Sequence, residues 1–250
     1  MQDRTEPNRA GHVGSFRAMH EEYKAPGRMS ARPAIEPQGE IMAMDRKQVE
    51  ELLYQALETE LGGVQVYTNA VRCAENEDLK EEWTKYLEQT QNHVRIMEGV
   101  CQQFGLDLAK ETPGRKIVRH KGKALVQAMQ MALDSGEPGA AQLVAAECVV
   151  DAETKDHMNW ELMGQVSEKL TGAEKKVLRD ACDEVEDQED EHLYHTMGWT
   201  RELWIDSLGL PAVLPPPEEE KDVKTAIGAA RAKQAREELL DQPRKKASGE

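Results

Sequence analysis

Apolar residues recur every three or four positions through long stretches of the chain. In the first stretch these positions are Val49, Leu52, Leu53, Ala56, Leu57, Val64, Tyr67 and Val71. This spacing puts them on one face of an α-helix. Asp45 and Gln48 form a capping box, so we predict a helix over residues 45–75. A second helix is predicted over residues 79–104, and Gly105 ends it.

The first two helices are separated only by residues 76–78, which predicts an antiparallel hairpin. A second hairpin is predicted further along the chain. Its first helix covers residues 138–169, with a proline suited to the first helical turn. Thr171 and Glu174 form a capping box that opens the fourth long helix, which reaches about residue 208.

The two hairpins are joined by a longer connection. Residues 106–121 are basic, and a short helix is predicted over residues 122–133. Such a crossover is needed if the second hairpin is to pack against the first. We therefore predict an all-α fold, in which residues 45–210 form an antiparallel four-helix bundle of two helical hairpins with a short crossover helix.

Both ends of the chain differ from the predicted bundle. Residues 1–44 contain four prolines among polar residues and are predicted to be a disordered arm. Within the arm, residues 12–17 (HVGSFR) resemble the short peptides that load cargo enzymes into encapsulin-type shells; the alternative is an incidental fragment of the arm. Residues 211–250 are predicted to form a proline-rich linker and an exposed C-terminal helix or tail.

Composition narrows the classes of function. The net charge of -15 argues against general nucleic-acid binding and fits a protein that attracts cations. The four cysteines are widely spaced, which predicts reduced thiols in a cytoplasmic protein. The first thirty residues lack the apolar segment of a signal peptide. No apolar run approaches the roughly 20 residues that span a bilayer, so we expect no membrane partner.

Carboxylates and imidazoles recur at matching places in the two predicted hairpins. Glu60 lies seven residues before Tyr67 in the first long helix, and Glu153 lies seven before Trp160 in the third. The second and fourth long helices each carry a histidine near their middle. Glu147 is an alternative to Glu153 in the third helix. Antiparallel packing would bring these mid-helix residues to one level of the bundle.

The fourth helix contains Glu189 and His192, spaced Glu-x-x-His, which puts both on one side of the helix. Together with Glu60, His93 and Glu153 they would offer several oxygen ligands and two nitrogens. A pair of hard-to-borderline divalent metals needs such a set. Without a metal, burying three carboxylates would be strongly unfavourable unless they were protonated or paired.

This arrangement resembles the ferritin-like superfamily, which includes rubrerythrins, bacterioferritins and manganese catalases. The segment of residues 86–98 (YLEQTQNHVRIME) is most similar to the stress-associated YciE/YciF-like proteins. The resemblance covers roughly residues 46–208. It implies dinuclear iron or manganese as cofactor, oxygen or peroxide as reactant, a homo-oligomer, and an Fe(II)-oxidising or peroxide-handling role in a stress response, as in ferroxidase- or peroxidase-type oxidoreductases.

The resemblance also implies a ligand set, from which the second helix departs. Thr90 stands three residues before His93, where a carboxylate is expected, and Gln89 could bind only weakly. His157, four residues after Glu153, could add a nitrogen ligand. The predicted metal ligands are therefore Glu60, His93, Glu153, His157, Glu189 and His192. The centre would be a rearranged dinuclear site, a mononuclear site, or a degenerate site in a structural or interaction protein.

Overall fold

The computed structural model describes residues 44–240, and all the regular structure among them is helical. The all-α prediction is therefore confirmed. The five long helices are α1 (Arg46–Cys73), α2 (Glu77–Gln103), α3 (Pro113–Asp134), α4 (Pro138–Lys169) and α5 (Gly172–Ser207). The three short ones are α6 (Pro217–Glu220), α7 (Ala226–Gln234) and α8 (Arg236–Leu240). None of these described helices is long and apolar enough to cross a membrane.

The N-terminal arm up to residue 43, with the peptide that resembles a shell-loading signal, lies outside the described residues, as do residues 241–250. Within the described part, local signals determine where helices begin. The carboxylate of Asp45 accepts a hydrogen bond from the N–H of Lys47 at 2.9 Å and caps α1. Asn76 caps α2 by accepting from the N–H of Leu79 at 3.1 Å, so α2 begins slightly earlier than predicted.

The crossover helix α3 has 22 residues and begins inside the stretch predicted as a basic connection. Thr112 caps it by accepting from the N–H of Arg115 at 3.1 Å. Arg115 and Arg119 both donate to the carboxylate of Glu58 on α1, at 3.0 and 2.6 Å. The prediction of a short helix was therefore wrong. The basic residues before position 122 are helical because their ion pairs with Glu58 hold this part of the chain against α1.

The four helices α1, α2, α4 and α5 form a bundle in which α1 contacts α2 and α4, and α5 contacts the same two helices. Two apolar clusters fill its core. One includes Tyr67, Trp83, Val149 and Trp199, and the other includes Leu53, Met97, Met163 and Leu178.

The order in which each helix meets the two clusters fixes its direction. Helices α1 and α5 run one way, and α2 and α4 run the other way. All four contacts between neighbours are therefore antiparallel. Because α2 and α4 run in the same direction, the chain must cross the length of the bundle between them. Helix α3 makes this crossing and packs on α1 and α4.

The chain after α5 packs back onto that helix. Glu218 is 2% exposed and accepts two hydrogen bonds from the guanidinium of Arg201 on α5, at 2.7 and 2.8 Å. Gly198 permits this approach, since a Cβ there would lie 2.6 Å from a Glu218 carboxylate oxygen. Val223 and Ala232 are also buried. The segment is therefore docked around α6, whereas six of the nine residues of α7 are exposed, as the prediction of an exposed C-terminal helix expects.

All four cysteines are buried and free. Burial raises the pKa of the Cys101, Cys148 and Cys182 thiols to about 11. Burial also raises the pKa of Cys73. The thiols are therefore unreactive apolar side chains in the core.

Candidate metal centre

A layer of buried polar side chains separates the two apolar clusters halfway along the bundle. Each of the four bundle helices contributes to it, and no member is more than 4% exposed. Its ionisable members are Glu60, His93, Glu153, Asp156, Glu189 and His192. The structure therefore brings together five of the six residues predicted as metal ligands. The sixth, His157, is replaced in the layer by Asp156.

The first group of ligand-type atoms combines Glu60, His93 and Glu189. The Nδ1 atom of His93 lies 3.7 Å from a carboxylate oxygen of Glu60 and 2.9 Å from one of Glu189. One ligand-type atom from each residue lies within 4.8 Å of the other two. Three helices, α1, α2 and α5, therefore meet at this point.

The second group combines Glu153, Glu189 and His192 under the same limit of 4.8 Å. The Nδ1 atom of His192 lies 3.6 Å from a carboxylate oxygen of Glu153 and 3.7 Å from one of Glu189. The two imidazole rings are stacked, with centroids 5.8 Å apart. Glu189 belongs to both groups, so it stands where a carboxylate could bridge two ions.

Two glutamines orient the histidines across the helix pair α2 and α5. The Nε2 atom of His93 lies 3.0 Å from the carbonyl oxygen of Gln188, and that of His192 lies 2.9 Å from the carbonyl oxygen of Gln89. The amide N–H of Gln188 donates to the backbone carbonyl of Glu184 at 3.3 Å, which fixes its orientation. Each Nε2 therefore carries the proton that the glutamine accepts, and each Nδ1 is directed at the carboxylates.

The two histidines differ in charge when no cation is bound. Burial lowers the pKa of His192 to about 4, so this ring is neutral and its Nδ1 carries a lone pair. Burial also opposes charge on His93, but the carboxylates of Glu189 and Glu60 raise its pKa to about 11. A cation at the His93 group would take the place of that proton.

The layer contains five buried atoms that make no hydrogen bond. They are Glu60 Oε2, Glu153 Oε2, Asp156 Oδ1, Glu189 Oε2 and His192 Nδ1. Leaving a buried polar atom unpaired costs about 1–3 kcal/mol. The charged form is disfavoured too, because burial raises the pKa of Glu153 to about 8 and also raises those of Glu60 and Asp156.

The donor set fits a pair of divalent cations. Four carboxylates carry four negative charges when ionised, and two divalent cations would balance them. Oxygen ligands with one imidazole for each ion suit iron, manganese or zinc. Each unpaired atom in the layer is of a type that ligates such metals.

Asp156 is the member of the layer that sequence reasoning missed. It follows Glu153 by three residues, which keeps it on the buried face of α4. The carboxyl is 4% exposed, and after burial the nearby Glu60, Glu189 and Glu153 raise its pKa further. The Glu-x-x-Asp spacing was visible in the sequence as a signal of the same kind as Glu189-x-x-His192.

The structure does not bring His157 into the layer with the other five predicted ligands. Its side chain is 27% exposed, and its Nδ1 lies 3.1 Å from a carboxylate oxygen of Asp190 on α5. On α4 the buried face runs through Glu153, Asp156 and Asn159. A step of four residues from Glu153 turns the side chain past this face, toward the groove between α4 and α5.

Thr90 and Glu147 supply no ligand to the layer. Thr90 is buried, but its hydroxyl donates to the carbonyl of Tyr86 at 2.9 Å. Its methyl group would lie 3.1 Å from a Cβ at Gly63, so that glycine makes room for the threonine. Glu147 is exposed and accepts from the indole N–H of Trp204 at 2.9 Å. It therefore does not take the place of Glu153.

A second polar network adjoins the layer through Tyr86. The ring centroid of Tyr86 is 4.1 Å from that of His192, and the Tyr86 hydroxyl donates to the carboxylate of Glu82. Glu82 also lies 2.7 Å from the Nδ1 of His195 and accepts from the indole N–H of Trp199 at 2.7 Å. Glu82 and His195 form a third ligand-type group with Glu191, but both oxygens of Glu82 already have protein partners.

Together, the fold and the layer define an all-helical protein with a buried carboxylate–histidine cluster at the centre of a four-helix bundle. No protein-family model matches the chain, and no curated protein or solved structure does so either.

Proposed function

We propose that the chain is a ferritin-like protein that holds two divalent metal ions, iron or manganese, in its buried layer. Its role would be Fe(II) oxidation or peroxide removal in a stress response. The main support is that five buried atoms of ligand type lie in one layer without hydrogen-bond partners, beside the Nδ1 of His93, which faces the carboxylates of Glu60 and Glu189. The sequence resemblance and the two-hairpin topology agree with this proposal.

The residues divide into two sets around a shared carboxylate. Glu60 and His93 would hold one ion, Glu153 and His192 would hold the other, and Glu189 would contact both. Asp156, which belongs to neither group, would add a fourth negative charge to the layer. When bound, such metals supply electrons to oxygen or peroxide at an open coordination position.

The surrounding residues would keep the ligands in place. The indole N–H of Trp160 donates to Glu60 Oε1 at 2.8 Å, which leaves the other oxygen of Glu60 for a cation. Gln89 and Gln188 hold the imidazoles by their Nε2 atoms, and such partners increase metal affinity. The apolar clusters on both sides of the layer exclude water, which strengthens electrostatic interactions within it.

The proposal is tested by adding Fe(II) to the anaerobically purified chain, measuring bound iron, and then following oxygen consumption after air is admitted. Glu189→Gln and His192→Ala are expected to reduce both quantities severalfold, because Glu189 serves both groups and His192 supplies one of two nitrogens. Asp187→Asn, which changes an exposed carboxylate on the same helix, is the matched control. If the two layer variants bind and oxidise iron as the control does, the site assignment is wrong.

A non-catalytic bundle is the second candidate function, acting as a structural or interaction protein. It is favoured by Thr90, which occupies the position where the resemblance implies a ligand carboxylate. Metal analysis of the protein as purified separates the two. Less than about one iron, manganese or zinc ion per two chains would favour the structural role, since a working centre retains its ions. The homo-oligomer and the cytoplasmic location stay predictions.

A further inference from the structure

A surface cleft between α4 and α5, whose lining also includes Thr225 and Ala226 at the start of α7, borders the candidate metal centre. It has a volume of about 200 Å³. Its lining includes Glu189, which is 1% exposed and belongs to both ligand groups. Trp160, which donates to Glu60, also lines it. The innermost wall of the cleft is therefore part of the layer itself.

The outer part of this cleft is acidic. Glu161 on α4 and Glu186 on α5 are exposed and line it, and Asp190 lies deeper, with 17% of its side chain exposed. Neither lysine nor arginine is among the described residues of the lining. Carboxylates that line a narrow cleft focus the electric field and raise the local concentration of cations.

A larger cleft lies on the other side of α4 and has different chemistry. It has a volume of about 460 Å³ and lies between α1, α3 and α4. Its lining includes two lysines, Lys121 and Lys155, and two carboxylates, Glu58 and Asp151, but none of the six ionisable residues of the layer. Size alone would favour this cleft, but contact with the layer and an acidic lining without lysine or arginine favour the smaller one for a cation.

His157 and Asp190 face each other across the smaller cleft. Their Nδ1 and carboxylate oxygen are 3.1 Å apart and connect α4 to α5. Asp190 precedes His192 by two residues and follows Glu189 directly. The pair lines the same cleft as Glu161, Glu186 and Glu189, so a cation that moves through the cleft to Glu189 meets it.

We propose that divalent cations reach the buried centre through the α4–α5 cleft, attracted by Glu161 and Glu186 and passing the His157–Asp190 pair before Glu189. This inference rests on the proposed function, since it needs a buried site that binds cations. It gives His157 a role that differs from the predicted one. The residue lies on the route to the metal centre and is not a ligand in it.

The test uses Co²⁺ as the probe and compares two variants of equal charge in stopped-flow absorbance measurements. Glu161→Gln with Glu186→Gln removes two charges from the cleft. Asp151→Asn with Asp187→Asn removes two exposed charges from the same helices outside it. At low salt the cleft variant is expected to load cobalt on the order of three- to tenfold more slowly. At about 0.5 M salt the difference should shrink, because the Debye length falls to a few ångströms.

The amount of cobalt bound at equilibrium keeps this inference separate from the proposed function. Equal final binding with slower loading of the cleft variant alone supports the route. Equal loading rates, or equal slowing in both variants, would overturn it, because the second result reflects net charge only. Lower final binding in the cleft variant would also overturn it by making these residues ligands. If the unmodified chain binds no cobalt, the proposed function fails first and the route fails with it.

His157→Ala tests the pair on the route. Removing the imidazole is expected to speed cobalt loading severalfold at low salt while leaving the final amount unchanged. An unchanged or slower rate would show that the pair does not narrow the route. A lower final amount would restore His157 as a ligand and contradict its assignment here.

Discussion

At the scale of single residues, Asp156 is expected to destabilise the metal-free fold and to favour cation binding. It is buried, one of its carboxylate oxygens lacks a hydrogen-bond partner, and burial with nearby carboxylates raises its pKa. Such a group weakens the fold unless something else requires it. A cation in the layer would stabilise the charged carboxylate. Removing the carboxylate should therefore raise the free energy of unfolding without metal and lower it with metal.

Asp156→Asn is expected to stabilise the metal-free protein by about 1 kcal/mol, because the amide carries no charge to desolvate. That corresponds to roughly 2–4 °C in Tm for a chain of this size. With saturating Mn²⁺ the variant should gain less stabilisation from metal than the unmodified chain does. Thermal unfolding in EDTA and in Mn²⁺ measures both effects. Asp151→Asn, an exposed carboxylate on the same helix, should change neither.

A lower Tm for Asp156→Asn than for the unmodified chain in EDTA would contradict this prediction. It would mean that protein contacts, such as the hydrogen bond from Asn159 that lowers the pKa of Asp156, already stabilise the carboxylate. The layer would then need no cation to explain it. The two outcomes differ in sign, so the measurement needs no precise magnitude.

At the scale of helices, two adjacent glycines in α1 have opposite surroundings. A Cβ at Gly62 would meet nothing within 4 Å, whereas one at Gly63 would lie 3.1 Å from the methyl group of Thr90 on α2. Gly63 therefore sets how closely α1 approaches α2 beside the layer. Gly62 faces the clefts beside α3 and serves no such contact.

Gly62→Ala is expected to stabilise the fold by about 0.5–1 kcal/mol, since alanine loses less backbone entropy than glycine in a helix. Gly63→Ala should raise the free energy of unfolding by less than Gly62→Ala does, or lower it, because the new methyl group lies too close to the methyl group of Thr90. Urea unfolding of both variants measures the difference. Equal stabilisation by the two would show that Thr90 yields freely and that Gly63 has no spacing role.

The same scale shows what the sequence could predict. The long helices were predictable because their apolar spacing and caps are local, as in the pairing of Asp45 with the start of α1. The length of α3 was not, because its first turns depend on Glu58, far away in the sequence.

For the layer, the apolar residues that share the side of Glu60 in the first helix indicated that this glutamate is buried. Whether Asp156 or His157 faces the layer depends on the rotation of α4 about its axis, which sequence spacing alone does not determine. The reciprocal pairing of Gln89 with His192 and of Gln188 with His93 depends on how α2 and α5 pack. In the sequence, Gln89 is near His93 and was therefore interpreted as a weak ligand. Its actual partner, His192, lies on another helix and is not evident from the sequence.

At the scale of the whole molecule, the C-terminal segment adds a carboxyl to the bundle. Glu219 approaches Glu82, and its burial, together with that neighbour, raises its pKa to about 8. The unfolded chain has a pKa nearer the ordinary value of 4.5. Between these pH values the folded chain holds a proton that the unfolded chain has released, so this group makes stability fall as pH rises.

Glu219→Gln is expected to remove that contribution. Relative to the unmodified chain, the variant should become progressively more stable from pH 5 to pH 8 and show no further relative gain above that range. Chemical unfolding at several pH values measures the difference, and Glu220→Gln, an exposed neighbour, is the control. A constant difference across this range would mean that Glu219 does not hold its proton in the folded chain.

The burial of the four cysteines has a consequence for durability under oxidative conditions. Peroxide reacts with the thiolate form of cysteine. A thiol with a pKa of about 11, as for Cys101, Cys148 and Cys182, is ionised in roughly one molecule in ten thousand at neutral pH. A chain that meets peroxide at its centre would therefore keep these thiols intact through many encounters, without a reductase to repair them.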